Sequence, residues 1–195
     1  MFWYTLRKLF TLFTLFTFYL GFSQMDELQL RDLRGDSLIS LEEYNSPILV
    51  LVFDQFNCPY VREYMARMDT ITKYYSSKGV QFVYVNADSD DFKKINFKDL
   101  AQKRYTTLLP NIPYIADRYA KYMYTLNIKK APEVSVLVKE KNTYKAVYVG
   151  GIDDSPLSEE DVRKAHLKLV LDKLLIGTKL APYRERTIGC MIKRD

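Results

Sequence analysis

Apolar residues follow three patterns along this chain. Ile48–Phe53 (ILVLVF) is a continuous apolar run, the pattern of a strand covered on both faces. After it, Val61, Tyr64, Met65, Met68, Ile71 and Thr72 recur at three- and four-residue spacing. That stripe predicts a helix from Tyr60 to Ser76, packed on a sheet and ending near Lys78-Gly79. Val80–Asp88 (VQFVYVNAD) predicts the next strand. Strand, helix and strand with tight links form a right-handed crossover unit whose strands run parallel. Farther on, Val134–Lys139 and Tyr144–Val149 flank a polar turn and predict a hairpin.

Weaker patterns fill the gaps. Gly35-Asp36 separates short alternating segments and suggests a small strand pair, and Ser40 to Glu43 has capping-box spacing for one helical turn. A helix is expected over about Asp99–Tyr105, a short strand near Tyr114–Ala116, and a further helix within Arg118–Ile128. The last helix is expected to start at Ser158, with Asp161 three residues on, and to stop at Gly177. A tail, 178–195, follows. With no repeat and no linker across 24–195, that span reads as one domain.

The first 23 residues differ from all of this. Arg7 and Lys8 precede an uncharged apolar stretch, residues 9–22, and Gly21 and Ser23 have the spacing a signal peptidase accepts. The stretch is shorter than the ~20 residues needed to span a bilayer. A cleaved secretory signal over 1–23 is therefore expected, with an uncleaved anchor through 9–22 as the alternative. The protein is expected to be exported, to a periplasm or the outside, and to touch membrane only if that segment stays. Disulfides persist in such compartments.

Composition excludes little but is useful. Across 195 residues, 48% are apolar and 27% charged, a globular balance, and the net charge is +5. Lys and Arg alternate with acids and form no basic stripe, so no nucleic-acid partner is expected. The 16 tyrosines are dispersed and read as packing residues.

The candidate chemistry lies at FDQFNCPYV, Phe53–Val61. Cys58 stands where the first strand passes into the first helix, directly before Pro59. If Pro59 is the first helical residue, Cys58 is the N-cap, where free N–H groups and the helix dipole favour a thiolate. The opposing reading is a buried, inert cysteine. Cys190 is the only other cysteine. It is a resolving thiol for Cys58, a partner in a standing structural disulfide, or an unrelated free thiol; the sequence leaves all three open. Asp88, Asp90 and Asp91 lack a calcium-loop glycine and read as loop acids that cap a helix. Gly150-Gly151 reads as a turn, and His166 as an ordinary helix residue. No metal and no cofactor is expected.

The pieces NCPYVREY (57–64), KGVQFVYVNAD (78–88), IPYIAD (112–117), APEVSVLV (131–138), GGIDD (150–154) and GCMIK (189–193) occur in an order that resembles the thioredoxin fold. More closely, they resemble the redoxin branch called alkyl hydroperoxide reductase/thiol-specific antioxidant, in its exported peroxiredoxin-like subgroup. The resemblance implies an α/β, thioredoxin-like fold with a central mixed sheet and flanking helices. It implies a thiol oxidoreductase that reduces peroxides or exchanges protein disulfides through Cys58 and is recharged by an external thiol reductant protein. It also implies a cis Pro132 that presents the Ala131 backbone opposite Cys58, where thioredoxin-like proteins hold an extended substrate strand.

Two positions depart from the family pattern. Subgroup members commonly carry a cysteine three residues before the second one, and Gln55 fills that place here. Peroxiredoxins use an arginine near residues 129–131, where this chain has Lys129 and Lys130. The alternative function is a redox-inactive thioredoxin-fold binding or scaffold protein, with Gln55 as the mark of a lost cycle.

Overall fold

The computed structural model describes residues 30–32, 38–101 and 112–194. Its strands are β1 (Leu30–Asp32), β2 (Leu38–Ile39), β3 (Ile48–Asp54), β4 (Gln81–Asn86), β5 (Tyr114–Ala116), β6 (Lys130–Ala131), β7 (Glu133–Glu140), β8 (Thr143–Gly150), β9 (Tyr183–Arg184) and β10 (Cys190–Met191). Its helices include α1 (Pro59–Ser76), α2 (Ser89–Phe92), α3 (Lys121–Thr125) and α4 (His166–Leu175), beside a 3-10 turn at Leu41–Glu43 and a helical stretch over 97–101.

Eight strands form one mixed sheet in the order β2-β1-β5-β4-β3-β7-β8-β9, and β10 pairs with β6 in a small second sheet. β3 lies at the centre, parallel to β4 (Leu51 opposite Val83) and antiparallel to β7 (Leu51 opposite Ser135). All seven of its residues are buried, as a strand with neighbours on both edges and layers on both faces requires. The expected crossover unit and hairpin are both present.

Side chains of β3 alternate between two cores. Val50 and Val52 join Phe82, Val134 and Val136 beneath Tyr64, Met68, Ile71 and Tyr75 of α1 and Leu167, Val170 and Leu171 of α4. Leu49, Leu51 and Phe53 point the other way, toward Val83, Val85, Tyr122, Met123 and Ile128. Each fully buried side chain of this size contributes roughly 1.5–3 kcal/mol, so the two layers hold the sheet between them. α1 begins at Pro59 after an extended Cys58 (φ −84°, ψ 118°) and ends before Gly79, whose φ of +87° turns the chain into β4.

Several expectations need revision or fall outside the described residues. The last helix does not start at Ser158: α4 begins at His166. Ser158 Oγ does accept from Asp161 N at 3.3 Å, but the charged residues after it stay exposed, with no apolar stripe to hold a helix against the sheet. The segment is tied instead by Asp154, whose carboxylate accepts from Arg163 N and Lys164 N. Within Arg118–Ile128 only the five residues of α3 are helical. The helix expected from Asp99 is present earlier, over 97–101, and its continuation lies outside the described residues, as do residues 1–23 and the Gly35-Asp36 turn.

Behind α1, Asp153 holds a buried polar knot. Its carboxylate accepts from the Tyr64 hydroxyl and pairs with the Arg67 guanidinium, which is only 8% exposed. Burial, and then the bond to Asp153, pushes the Tyr64 phenol far above its usual value. Removing the carboxylate would strand a buried cation. Asp153→Ala is expected to lower stability by about 3 kcal/mol, and Asp153→Asn by less, measured by urea unfolding.

Candidate active site

The site is built where the parallel strands end. β3 runs out at Asp54, which is 2% exposed and accepts from its neighbour's Gln55 N (2.7 Å) and from the Tyr114 hydroxyl (3.0 Å). The loop to α1 then needs partners for its own backbone. Asp91 Oδ2 accepts from Phe56 N at 2.7 Å and from the Asn86 amide at 3.0 Å, while the Lys94 ammonium sits on Asp91 Oδ1. Asp88 caps α2 through Asp91 N (3.1 Å) and takes the Gln55 Nε2 on its other oxygen (2.7 Å). Asp88 thus caps a helix as the sequence suggested, but two of the expected loop acids are not solvated: Asp88 and Asp91 are buried, and Asp91 turns its carboxylate to the loop before Cys58. No cluster able to hold a metal occurs among the described residues.

Cys58 occupies the N-cap of α1 and is 2% exposed, against Val61, Ala131 and Ile192. Its Sγ lies 3.1 Å from the Ala131 carbonyl oxygen and is bonded to Cys190 Sγ, with the two Cα atoms 5.8 Å apart. The Ala131-Pro132 peptide is cis. The structure therefore brings together all three residues singled out in the sequence. His166, at the start of α4, lies with the α1/α4 layer on the far face of the sheet from the cluster that includes Cys58.

Cys190 reaches Cys58 because the tail is a strand. Cys190 pairs with Ala131 and Met191 with Lys130, antiparallel. Flanking contacts extend the docking: Ile192 N donates to Lys129 O (3.0 Å), Ser89 N to Lys193 O (3.0 Å), and Lys193 N to Asp88 Oδ2 (2.8 Å). Ile192 is buried in the Cys58 cluster. Upstream, the buried Glu133 ties the Pro132 loop to the tail. It accepts from Lys129 N and Lys130 N and holds Arg184 (2.8 Å) and the Thr187 hydroxyl (3.1 Å).

The Lys130 ammonium donates to Thr187 O, so it binds the tail. Gly189 makes the approach possible, since a Cβ there would stand 2.5 Å from the Ala131 carbonyl oxygen. Sequence reading passed over Glu133, Gly189 and the partnership of Gln55 with Asp88. An acid directly after Pro132 in an apolar strand, and a glycine directly before Cys190, were the available signals.

One tail contact carries a charge. The Lys193 ammonium lies 2.6 Å from Asp90 and holds that exposed carboxyl below its usual range, while Asp90 raises Lys193. A lowered carboxyl contributes above its ordinary value and loses that contribution as pH falls through the lowered one. Elsewhere, burial pushes the Asp117 carboxyl up, against the pull of backbone N–H groups of Lys121, Tyr122 and Met123.

Gly189→Ala is expected to lift β10 from Ala131, so that protection of the Met191 amide falls by about tenfold or more in hydrogen exchange. Asp90→Asn should remove the acid-side weakening of tail protection while leaving neutral-pH protection nearly unchanged, since an exposed pair is worth little.

Comparison with known proteins places this architecture. An uncharacterized conserved protein of Geobacillus kaustophilus superposes with a TM-score of 0.76 at 24% identity, covering 89% of this chain and 91% of its own. An uncharacterized thioredoxin-like protein of Bacteroides vulgatus gives 0.53 at 20%, covering 80% and 88%. A candidate thiol:disulfide interchange protein, DsbE, of Chlorobium tepidum gives 0.54 at 16%, covering 79% and 96%. These likenesses show a thioredoxin-like fold. No curated protein matches the chain. The Redoxin family model matches residues 23–165, a span that holds Cys58 and Pro132 and stops short of Cys190. By that match, the chain belongs to the Redoxin family.

Proposed function

We propose that the protein is a two-cysteine thiol oxidoreductase of peroxiredoxin-like type, with Cys58 as the attacking thiol and Cys190 as the resolving thiol. The observation that carries this reading is the bond between a buried cysteine at a helix start and a partly buried cysteine on a separate tail strand.

In the reduced protein, α1 offers its first N–H groups and its dipole to a Cys58 thiolate. The thiolate attacks one peroxide oxygen. The O–O bond breaks, the sulfur becomes a sulfenic acid, and the departing oxygen leaves as water after taking up a proton. The Cys190 thiolate then attacks the Cys58 sulfur, the S–O bond breaks, and a second water leaves with another proton. Two thiols and one hydrogen peroxide become one disulfide and two waters.

An external dithiol protein returns the electrons. Its thiolate reaches Cys190 Sγ more readily than Cys58, which is 2% exposed, and the better leaving group is then the helix-start thiolate. The reductant's second thiol attacks the mixed disulfide and frees Cys190.

Exchange with a protein disulfide in place of peroxide uses the same thiol and the same recharging steps. Export, to a periplasm or beyond, belongs to this proposal and rests on the sequence of residues 1–23. No helix among the described residues is long and apolar enough to cross a membrane.

A second reading is a redox-inactive scaffold whose disulfide only pins the tail. It is favoured by the many tail contacts besides the sulfur bond, at Thr187, Ile192 and Lys193. Peptide mapping of the reduced protein after one equivalent of hydrogen peroxide separates the two. The proposal expects the Cys58–Cys190 bond to form within seconds. Cys190→Ser should leave a sulfenic acid on Cys58, and Cys58→Ser should lower peroxide consumption by at least about a hundredfold. Thiols that stay reduced through prolonged exposure would leave the scaffold reading standing.

A further inference from the structure

We propose that Gln55 is a positioning residue for the resolving step: through Asp88 it holds the backbone of Lys193, and so seats the tail strand with Cys190 against Cys58. The inference deepens the two-cysteine reading above and rests on it for its place in the cycle. Gln55 is the residue that stands where subgroup members commonly carry a second cysteine. In this chain the position carries an amide that donates to a buried carboxylate.

The geometry points one way. Asp88 is fully buried, and its Oδ2 accepts from Gln55 Nε2 at 2.7 Å and from Lys193 N at 2.8 Å. A carboxylate oxygen only accepts, so the Gln55 amide must turn its NH2 group toward Asp88. The other end of the amide, Oε1, is buried with no hydrogen-bond partner. Leaving that atom bare is unfavourable, and the side chain is held in this pose by the charge-assisted bond to Asp88. Asp88 Oδ1 is meanwhile occupied by Asp91 N, which fixes the carboxylate plane and aims Oδ2 at the tail.

Lys193 is three residues beyond Cys190, on the far side of the β6–β10 pairing. The tail is therefore gripped on both sides of its cysteine: by Glu133 and Lys130 through Thr187 before it, and by Asp88 and Ser89 after it. A tail held at one end only would sample many positions. Held at both ends, it presents Cys190 at a high effective concentration to Cys58. The loop before Cys58 holds no second thiol of its own and positions one from elsewhere in the chain.

The test is the equilibrium of the Cys58–Cys190 disulfide against a small dithiol, such as dithiothreitol, at fixed pH. Gln55→Met keeps the bulk and loses the donor; Gln55→Glu puts a second carboxylate against Asp88. Both are expected to lower the effective concentration of the pair by about tenfold, or about 30 mV for this two-electron couple. In the reduced protein the Lys193 amide should lose hydrogen-exchange protection to a similar degree, with the amides of β3 and β4 unaffected.

A residue that merely packed would change the unfolding midpoint and leave the dithiol equilibrium alone. Equilibrium constants within twofold of the parent protein in both variants, with Lys193 still protected, would overturn the proposal. The measurement uses no peroxide. A tenfold fall in a protein that ignores peroxide would sink the peroxidase reading and keep this one, and an unchanged equilibrium in an active peroxidase would do the reverse.

Discussion

β3 is closed on every side, by β4 and β7 along its edges and by helices and loops over its faces, and the site is a consequence of where it must stop. A strand so enclosed cannot let its end fray into water. The turn from Asp54 to Cys58 is therefore pinned by carboxylates: Asp54 on Gln55 N, Asp91 on Phe56 N, Asp88 on the Gln55 side chain. These acids come from the ends of β3 and β4 and from α2, which the parallel pairing of β3 and β4 brings together. Burying several carboxylates is costly, and the backbone N–H groups, Asn86, Tyr114 and Lys94 offset that cost.

The same acids serve the tail. Asp88 holds Gln55 and Lys193 N with one oxygen, so the loop before Cys58 and the strand carrying Cys190 share a single anchor. On the opposite flank, Glu133 joins the Pro132 loop to Arg184 and Thr187. The tail edge of the site is therefore supplied by the chain itself, with Cys190 lying on the Ala131 backbone.

Much of this was legible beforehand because it depends on local pattern. ILVLVF has the pattern of an enclosed strand, the stripe from Val61 to Thr72 that of a helix on a sheet, and Cys58 is the N-cap because Pro59 does open that helix. The last helix was misread at its beginning for an equally local reason: Ser158 and Asp161 have capping spacing. However, the exposed charges that follow give a helix nothing to pack against, and propensity yielded to the absence of burial.

Sequence alone determined the order of the main strands and helices, the place of Cys58 and the family likeness, because periodicity and turn chemistry act over a few residues. Tertiary structure decided what Cys190, Gln55, Gly189 and Glu133 do. The sulfur bond joins residues 132 positions apart, and Gln55 meets Asp88 across 33. Whether two such groups meet depends on how the sheet stacks its strands and where the tail is caught, and no spacing along the chain encodes that distance.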